Sequence, residues 1–427
     1  MSFQQGLSGL NGASKMLETL GNNIANANTA GFKQSNVQFS DVYATAFAGS
    51  VSGQVGIGTK VSQVSQQFGQ GNITSTSNSM DLAINGGGFF RLNDNGAIVY
   101  SRNGQFNLDK DGHVVNASGA HLTGYAVDPT TGKIASGAPS DIVINTADLK
   151  PSATSTVKAQ LNLNSQATTL TPALFDPTKP DTYSNATSVN VYDSLGNTIV
   201  LQTYYVKTGA NSWNVYATGG GTLTPATTPA TPVAQITFDS KGALATQAYV
   251  DPATGVANPA LKPTVNVPLP ATSAAAPLSV TLDFNDKNMQ TTQFGAPFSV
   301  NALNQDGYTS GRLAGFTTGA DGLITGRYTN GKNALLGQVV LANFTNPNGL
   351  QPLGNNAWAE TPTSGVPLVG APETGSLGTL QASAVEDSNV DLTAELVAMI
   401  TAQRVYQANA QTIKTQDQVL QTIVNLR

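Results

Sequence analysis

The chain contains no cysteine, which excludes disulfides, thiolate nucleophiles and thiolate metal sites. Its 427 residues include only two histidines, His113 and His121, so general acid–base chemistry is poorly supplied. Charged residues make up 11%, against about 25% in average soluble proteins. Ser, Thr, Asn, Gln and Gly fill the gap. The net charge of −5 provides no basic footprint for neutralising phosphates, which argues against nucleic acid as a partner. No apolar run approaches the roughly 20 residues needed to span a bilayer, so membrane insertion is not expected. The opening Met1-Ser2-Phe3-Gln4-Gln5-Gly6 has neither the basic nor the apolar part of a secretory signal peptide. The absence of cysteine also suits a chain threaded unfolded through an export channel, where a crosslink would jam.

What the chain does have is concentrated at its two ends. Phe3, Leu10, Leu17 and Ile24 recur at intervals of seven, and Gly6, Ala13, Leu20 and Ala27 form a second such row. At the other end Leu392, Met399, Tyr406, Ile413 and Leu420 repeat the period. Strict sevens mark a coiled-coil seam rather than a globular helix. The first segment predicts a helix from about Phe3 to Asn26, weakened by Gly6, Gly9, Gly12 and Gly21 at about 1 kcal/mol each and dependent on a partner helix. Asn28-Thr29-Ala30-Gly31 ends it, with Gly31 as a left-handed stop. The last segment predicts a helix from Asp391 to Leu426, free of Gly and Pro and opened by a capping box at Ser388-Asn389-Val390-Asp391. Its second row, Leu396, Gln403, Ala410, Asp417 and Val424, is half polar, which implies several packing neighbours rather than one clean zipper.

The middle reads as hairpins. Turn residues fall at Asn93–Gly96, Asp109–Gly112, Asp193–Asn197 and Thr208–Asn211, each between runs of strand-forming residues. Further strands are expected over 235–238, 278–284, 323–328 and 338–344. Residues 218–234 and 251–277 are rich in Pro, Ala and Thr and read as surface loops. Domain edges are expected near Leu161–Asn164 and near Met289–Gly295.

Motifs that carry chemistry are weak. Gly53–Lys60 has the glycines of a phosphate loop but not its Gly-Lys-Thr order, and is expected to be a turn before an extended segment. Asn85-Gly86-Gly87-Gly88-Phe89-Phe90 leads into a strand and lacks the dinucleotide spacing. Asp109, Asp111 and Gly112 match a calcium loop only superficially, since Gly stands fourth and Ala120 twelfth. His113 and His121 could be two metal ligands, but no Cys and no following acidic cluster accompanies them, and they are expected on solvent-facing strand positions. Gly6-Leu7-Ser8-Gly9 is not a nucleophile elbow. No catalytic residue, cofactor or metal site is assigned, and no enzyme is expected.

Leu20-Gly21-Asn22-Asn23-Ile24-Ala25-Asn26-Ala27-Asn28-Thr29-Ala30-Gly31-Phe32-Lys33 resembles the signature of bacterial flagellar axial proteins, the family of rod and hook. The signature residues carried over are Asn22, Asn23, Asn26, Asn28, Thr29, Gly31 and Phe32. Ser388–Leu392, Met399–Asn409 and Ile413–Asp417 resemble the family's C-terminal signature, and Ile84–Phe90 its first β-domain segment. The long β-rich insert, with Val191–Asn197 and Gly337–Phe344, is similar to the hook branch of the family. Gly6 and Gly12 depart from it, standing where the family usually has Ala.

The resemblance implies a multidomain α+β chain in which paired N- and C-terminal coiled-coil helices bracket nested β-rich barrel or sandwich domains. The helical domain would comprise 1–30 and 385–427, a connecting segment 31–71 and 366–384, an inner β-domain 72–160 and 291–365, and an outer β-domain 161–290. The function implied is a subunit that polymerises into a flexible tubular joint carrying torque from rod to filament. It would be located outside the cell and exported by the flagellar type III apparatus without a cleaved signal. Its partners would be copies of itself, a distal rod protein, a hook–filament junction protein and a hook cap protein. The polymer-interface residues are then Phe3, Leu10, Ala13, Leu17, Leu20 and Ile24 on the first helix. On the second they are Leu392, Leu396, Met399, Tyr406, Ile413, Leu420 and Val424. A distal rod-type protein shares both ends but should lack the outer domain. A β-rich surface adhesin would explain the middle but neither end.

Overall fold

The computed structural model of the chain describes residues 2–42, 56–128, 131–135, 137–270 and 273–425. Two helices stand at the ends, α1 (Ser2–Ala25) and α2 (Leu392–Asn425), and strands dominate between them. At 34 residues, α2 is about 51 Å long. Gly53–Val55 of the phosphate-loop-like segment, and Leu426 at the expected end of α2, lie outside the described residues.

By its internal contacts the chain forms two compact units. The first comprises Met1–Thr146, Gly315–Arg327 and Asn333–Arg427; the second comprises Ala147–Ala314 and Tyr328–Lys332. In this division the edges fall near 147 and 314. The reason is strand Thr156–Asn164, whose Leu161 and Leu163 are fully buried. It pairs in parallel with Leu278–Asp283 and Thr292–Phe294, and antiparallel with Ser299–Gln305. A strand held on both edges belongs to the interior of its sheet.

In the second unit a further sheet runs Asn185–Tyr192, Thr198–Gly209, Ser212–Gly219, Ala234–Phe238, Leu244–Val250, antiparallel throughout. Side chains alternate across a strand, and Thr198–Gly209 is buried on both faces. Leu201 and Tyr205 join the large core around Trp213, while Tyr204 and Val206 join a smaller cluster with Phe175 and Tyr216. The turn Asp193–Asn197 closes as expected, because the Asp193 carboxylate accepts the backbone N–H groups of Leu195 and Asn197 and the Asn197 amide. The expected loop 251–277 is corrected in part. It contains strand Thr264–Val267, paired to Leu278–Asp283, and the alternating Val265 and Val267 are buried. Likewise 218–234 contains strand Thr222–Thr224.

In the first unit the sheet order passes from Leu323–Tyr328 through Asn333–Val339, His121–Ala126 and Phe89–Asp94 to Ala97–Ser101. The hairpin joining the last two turns at Asn95 and Gly96, both at positive φ, the geometry that Asn-Gly favours. Phe89, Tyr100, Phe344 and Trp358 pack as an edge-to-face cluster. His113 and His121 are half-buried and stacked on one another. A two-stranded antiparallel ribbon, Ser35–Val42 with Gly58–Gln66, follows α1.

Candidate polymer interface and its internal anchor

The helix ends are set by local chemistry. At the start of α2 the Asp391 carboxylate accepts the N–H groups of Thr393 and Ala394, at 2.9 and 3.1 Å. The N-cap is therefore Asp391, three residues later than the expected Ser388, because an acidic oxygen serves the helix N-terminus better than a hydroxyl. α1 stops at Ala25, and the chain turns through residues 26–31. Asn23, fully buried, holds that turn in place. Its amide donates to the Ser35 carbonyl at 2.8 Å and its oxygen accepts the Ser35 N–H at 2.9 Å. Asn26 donates to the Asn22 carbonyl and Thr29 to the Asn26 side chain. Gly31 has φ +71°, and a Cβ there would lie 2.5 Å from the Asn103 nitrogen. Phe32 is half-buried, and Asn22 and Asn28 are exposed. The residues read as a signature thus act mainly as a built corner.

Just past that corner lies an ionic cluster. The Lys33 ammonium donates to Glu386 Oε1 at 2.6 Å and to the Gly69 carbonyl at 2.7 Å. Arg102 donates from Nη1 to Glu386 Oε2 at 3.1 Å and from Nη2 to the Gly86 carbonyl at 2.8 Å. Lys33 and Glu386 are essentially inaccessible. Burial pushes the Lys33 ammonium below its ordinary range, opposed by the Glu386 carboxylate. Arg102 is lowered by burial in the same way. Around the cluster the Gly31 N–H donates to the Glu386 carbonyl at 2.8 Å. The Gln34 N–H donates to Asn389 Oδ1 at 2.8 Å, and the Asn389 amide donates to the Gln67 carbonyl at 2.7 Å. Gln34 Nε2 also donates to Glu395 in the first turn of α2. The end of α1 and the start of α2 are therefore tied to the same buried charges. Deleting one partner of such a set strands the others, at a loss of about 3–5 kcal/mol.

Sequence reasoning missed Lys33, Arg102, Glu386 and Asn389 as anchor residues. The available signal was position: Lys33 closes the N-terminal signature, and Glu386 and Asn389 flank the start of the C-terminal one.

The helices themselves lie side by side, in an arrangement that the heptad rows describe only in part. On α1 the buried row is Gly6, Ala13 and Leu20. A Cβ on Gly6 would lie 3.1 Å from Ile413 Cγ1, and one on Gly9 would lie 2.7 Å from Asn409 Oδ1. These glycines, which weaken an isolated helix, permit close approach of α2, while Gly12 makes room for Phe39 at 3.1 Å. Leu10, Leu17 and Ile24 are half-buried, and Phe3 is 47% exposed. On α2 the covered row is Glu395, Ala402 and, half-buried, Asn409. The apolar residues flank that row: Met399 and Ile413 are half-buried, while Leu392, Leu396, Tyr406 and Leu420 are exposed, with Leu420 at 55%. Val397 and Ile400 add to the uncovered surface. The side chain of Val424 lies outside the described ones. Among the described residues no helix is long and apolar enough to cross a membrane.

The chain is similar to known proteins along its length. Four family models match in chain order. The flagella basal body rod protein model covers 3–33, and the flagellar hook protein FlgE/F/G D1 domain covers 83–171. The flagellar basal body protein FlaE D2 domain covers 162–308, and the flagellar basal body rod FlgEFG protein C-terminal model covers 381–426. The chain is 43% identical to the flagellar hook protein FlgE of Escherichia coli K12 over the full length of both, and equally to that of Salmonella typhimurium. It is 31% identical to the hook protein of Borreliella burgdorferi across 100% of this chain and 99% of that one. A crystal structure of Helicobacter pylori flagellar hook protein FlgE2 shares the fold, with a TM-score of 0.50 at 15% identity over 74% of this chain and 99% of that one. With rod-type models at both ends, a hook-protein domain model between them and 43% identity over the full length of hook proteins, the chain belongs to the flagellar hook protein FlgE family.

Proposed function

We propose that the chain is the structural subunit of the bacterial flagellar hook, polymerising into a flexible tube that carries torque from rod to filament during swimming. α1 and α2 pair as a coiled coil and pack against copies of themselves to form the inner wall of a channel. The β-rich parts nest outward from it as connecting, inner and outer domains, the outer one barrel-like. A polymer growing along one axis needs heterologous contacts that do not close. The observation that carries this reading is the uncovered apolar surface of α2, at Leu392, Leu396, Val397, Ile400 and Leu420. Burying such side chains on assembly is worth about 1.5–3 kcal/mol each. Phe3 on α1 is likewise exposed. The outer domain is poor in charge and rich in Thr and Asn, which suits small interfaces that slide past one another as the tube bends.

On this reading the protein works as a building element rather than an enzyme. It leaves the cell through the flagellar type III apparatus without a cleaved signal. It adds beneath a hook cap protein, and abuts a distal rod protein at one end and a hook–filament junction protein at the other. Electron microscopy of concentrated protein tests it. Wild type is expected to form tubes or curved segments, and the double variant Leu396→Ser/Ile400→Ser to remain dispersed. Wild-type protein that stays monomeric at every concentration, or a double variant that assembles as readily, would contradict the proposal.

A further inference from the structure

We propose that His113, His121 and Asp141 form a binding site for a divalent transition-metal cation, with zinc as the best match to two imidazoles and one carboxylate. Three short backbone segments of the first unit bring them together. His113 follows the Asp109–Gly112 turn and bridges to Val143. His121 opens strand His121–Ala126. Asp141 ends strand Ser140–Asp141, opposite Thr123. The chain has only these two histidines, and they stack with ring centroids 4.5 Å apart and planes 18° from parallel. One potential ligand atom from each of the three residues lies within 4.8 Å of the others. Three ligands suit a zinc site that keeps its fourth position for water.

The local bonding is already partly arranged for a cation. His121 Nδ1 is hydrogen-bonded to Asp141 Oδ2 at 3.0 Å, a contact a cation would replace, and the separation is close to the one of about 3.3 Å between ligands placed 2.0–2.1 Å from a tetrahedral zinc. The Asn93 amide donates to both Asp141 oxygens, at 2.9 and 3.0 Å. It thereby fixes the carboxylate as outer-shell partners do in metal sites. His113 Nδ1 is buried and has no hydrogen-bond partner among the described residues. A buried imidazole nitrogen without a partner needs an explanation, and a bound cation supplies one. All three residues are half-buried, so the site is reachable from solvent. A cation here would clamp the Val114–Asn116, His121–Ala126 and Ser140–Asp141 strands together, giving a chain without disulfides a crosslink formed after export.

Titration of the untagged full-length chain with zinc chloride tests the proposal, read by calorimetry and by the imidazole resonances in NMR. One equivalent should bind, and both histidine rings should shift together. His113→Gln, His121→Gln and Asp141→Asn should each weaken binding at least about tenfold. Lys110→Ala, at an exposed position in the neighbouring turn, should leave it unchanged. Circular dichroism of the metal-free variants checks that they fold. Failure of zinc to bind at millimolar concentration, binding that moves neither imidazole of the wild type, or binding that survives both histidine substitutions would each overturn the proposal. The wild-type readout stands even if a variant misfolds.

Discussion

The second unit and the terminal helices use apolar residues in opposite ways. In the second unit Trp213 is completely buried, its indole N–H donates to Gln293 at 2.8 Å, and Val215, Leu201 and Ile236 are as inaccessible as it is. Each of these side chains is satisfied by the chain itself. On α2 the described side chains that are fully covered are Glu395 and Ala402, while leucines, valines and an isoleucine face outward. An exposed leucine is ordinary, but a helix-long series of them marks a surface intended for a partner. One chain thus contains a finished globular interior and an unfinished helical one. The unfinished part is attached through buried charges, Lys33, Arg102 and Glu386, rather than through a large apolar contact. A buried ion set tolerates little misplacement, because each member depends on the others.

Two substitutions sharpen that contrast, the larger effect first. Trp213→Ala removes a filled core position and leaves Gln293 without its donor. Thermal or urea unfolding should show a loss of about 3–5 kcal/mol, assigned to the second unit. Leu396→Ser/Ile400→Ser, on the uncovered face, should change the monomer's unfolding free energy by less than about 0.5 kcal/mol per site, while removing assembly. Equal destabilisation by the two sets would mean that α2 is already complete in the single chain.

Much of this was legible in the sequence where the governing physics is local. The Asn95-Gly96 and Asp193–Asn197 turns, the extent of α1 and the first helical residue of α2, each to within a residue, and the left-handed Gly31 all follow from short-range rules. Contacts made across the chain were not legible. Lys33 and Glu386 are 353 positions apart, and no periodicity connects them. The pairing of Thr156–Asn164 with three different strands was not legible either, since an alternating apolar strand reads the same at a sheet edge as in its interior. Heptad spacing identified the helices correctly but not which row the single chain covers. The row with small residues, Gly6 and Ala13, permits close approach and is buried, whereas the row with large residues stays available. The two histidines were weighed as metal ligands and set aside for want of an acidic neighbour, since spacing alone cannot show that Asp141 comes to join them.

The account rests on the helices being marginal alone and firm only in company. Hydrogen–deuterium exchange, compared between dilute monomer and assembled tubes, measures this directly. Amides of α1 and α2 should exchange rapidly in the monomer and become protected on assembly, while strand Ser212–Gly219 stays protected in both states. Strong protection along both helices in the dilute monomer, unchanged on assembly, would contradict it.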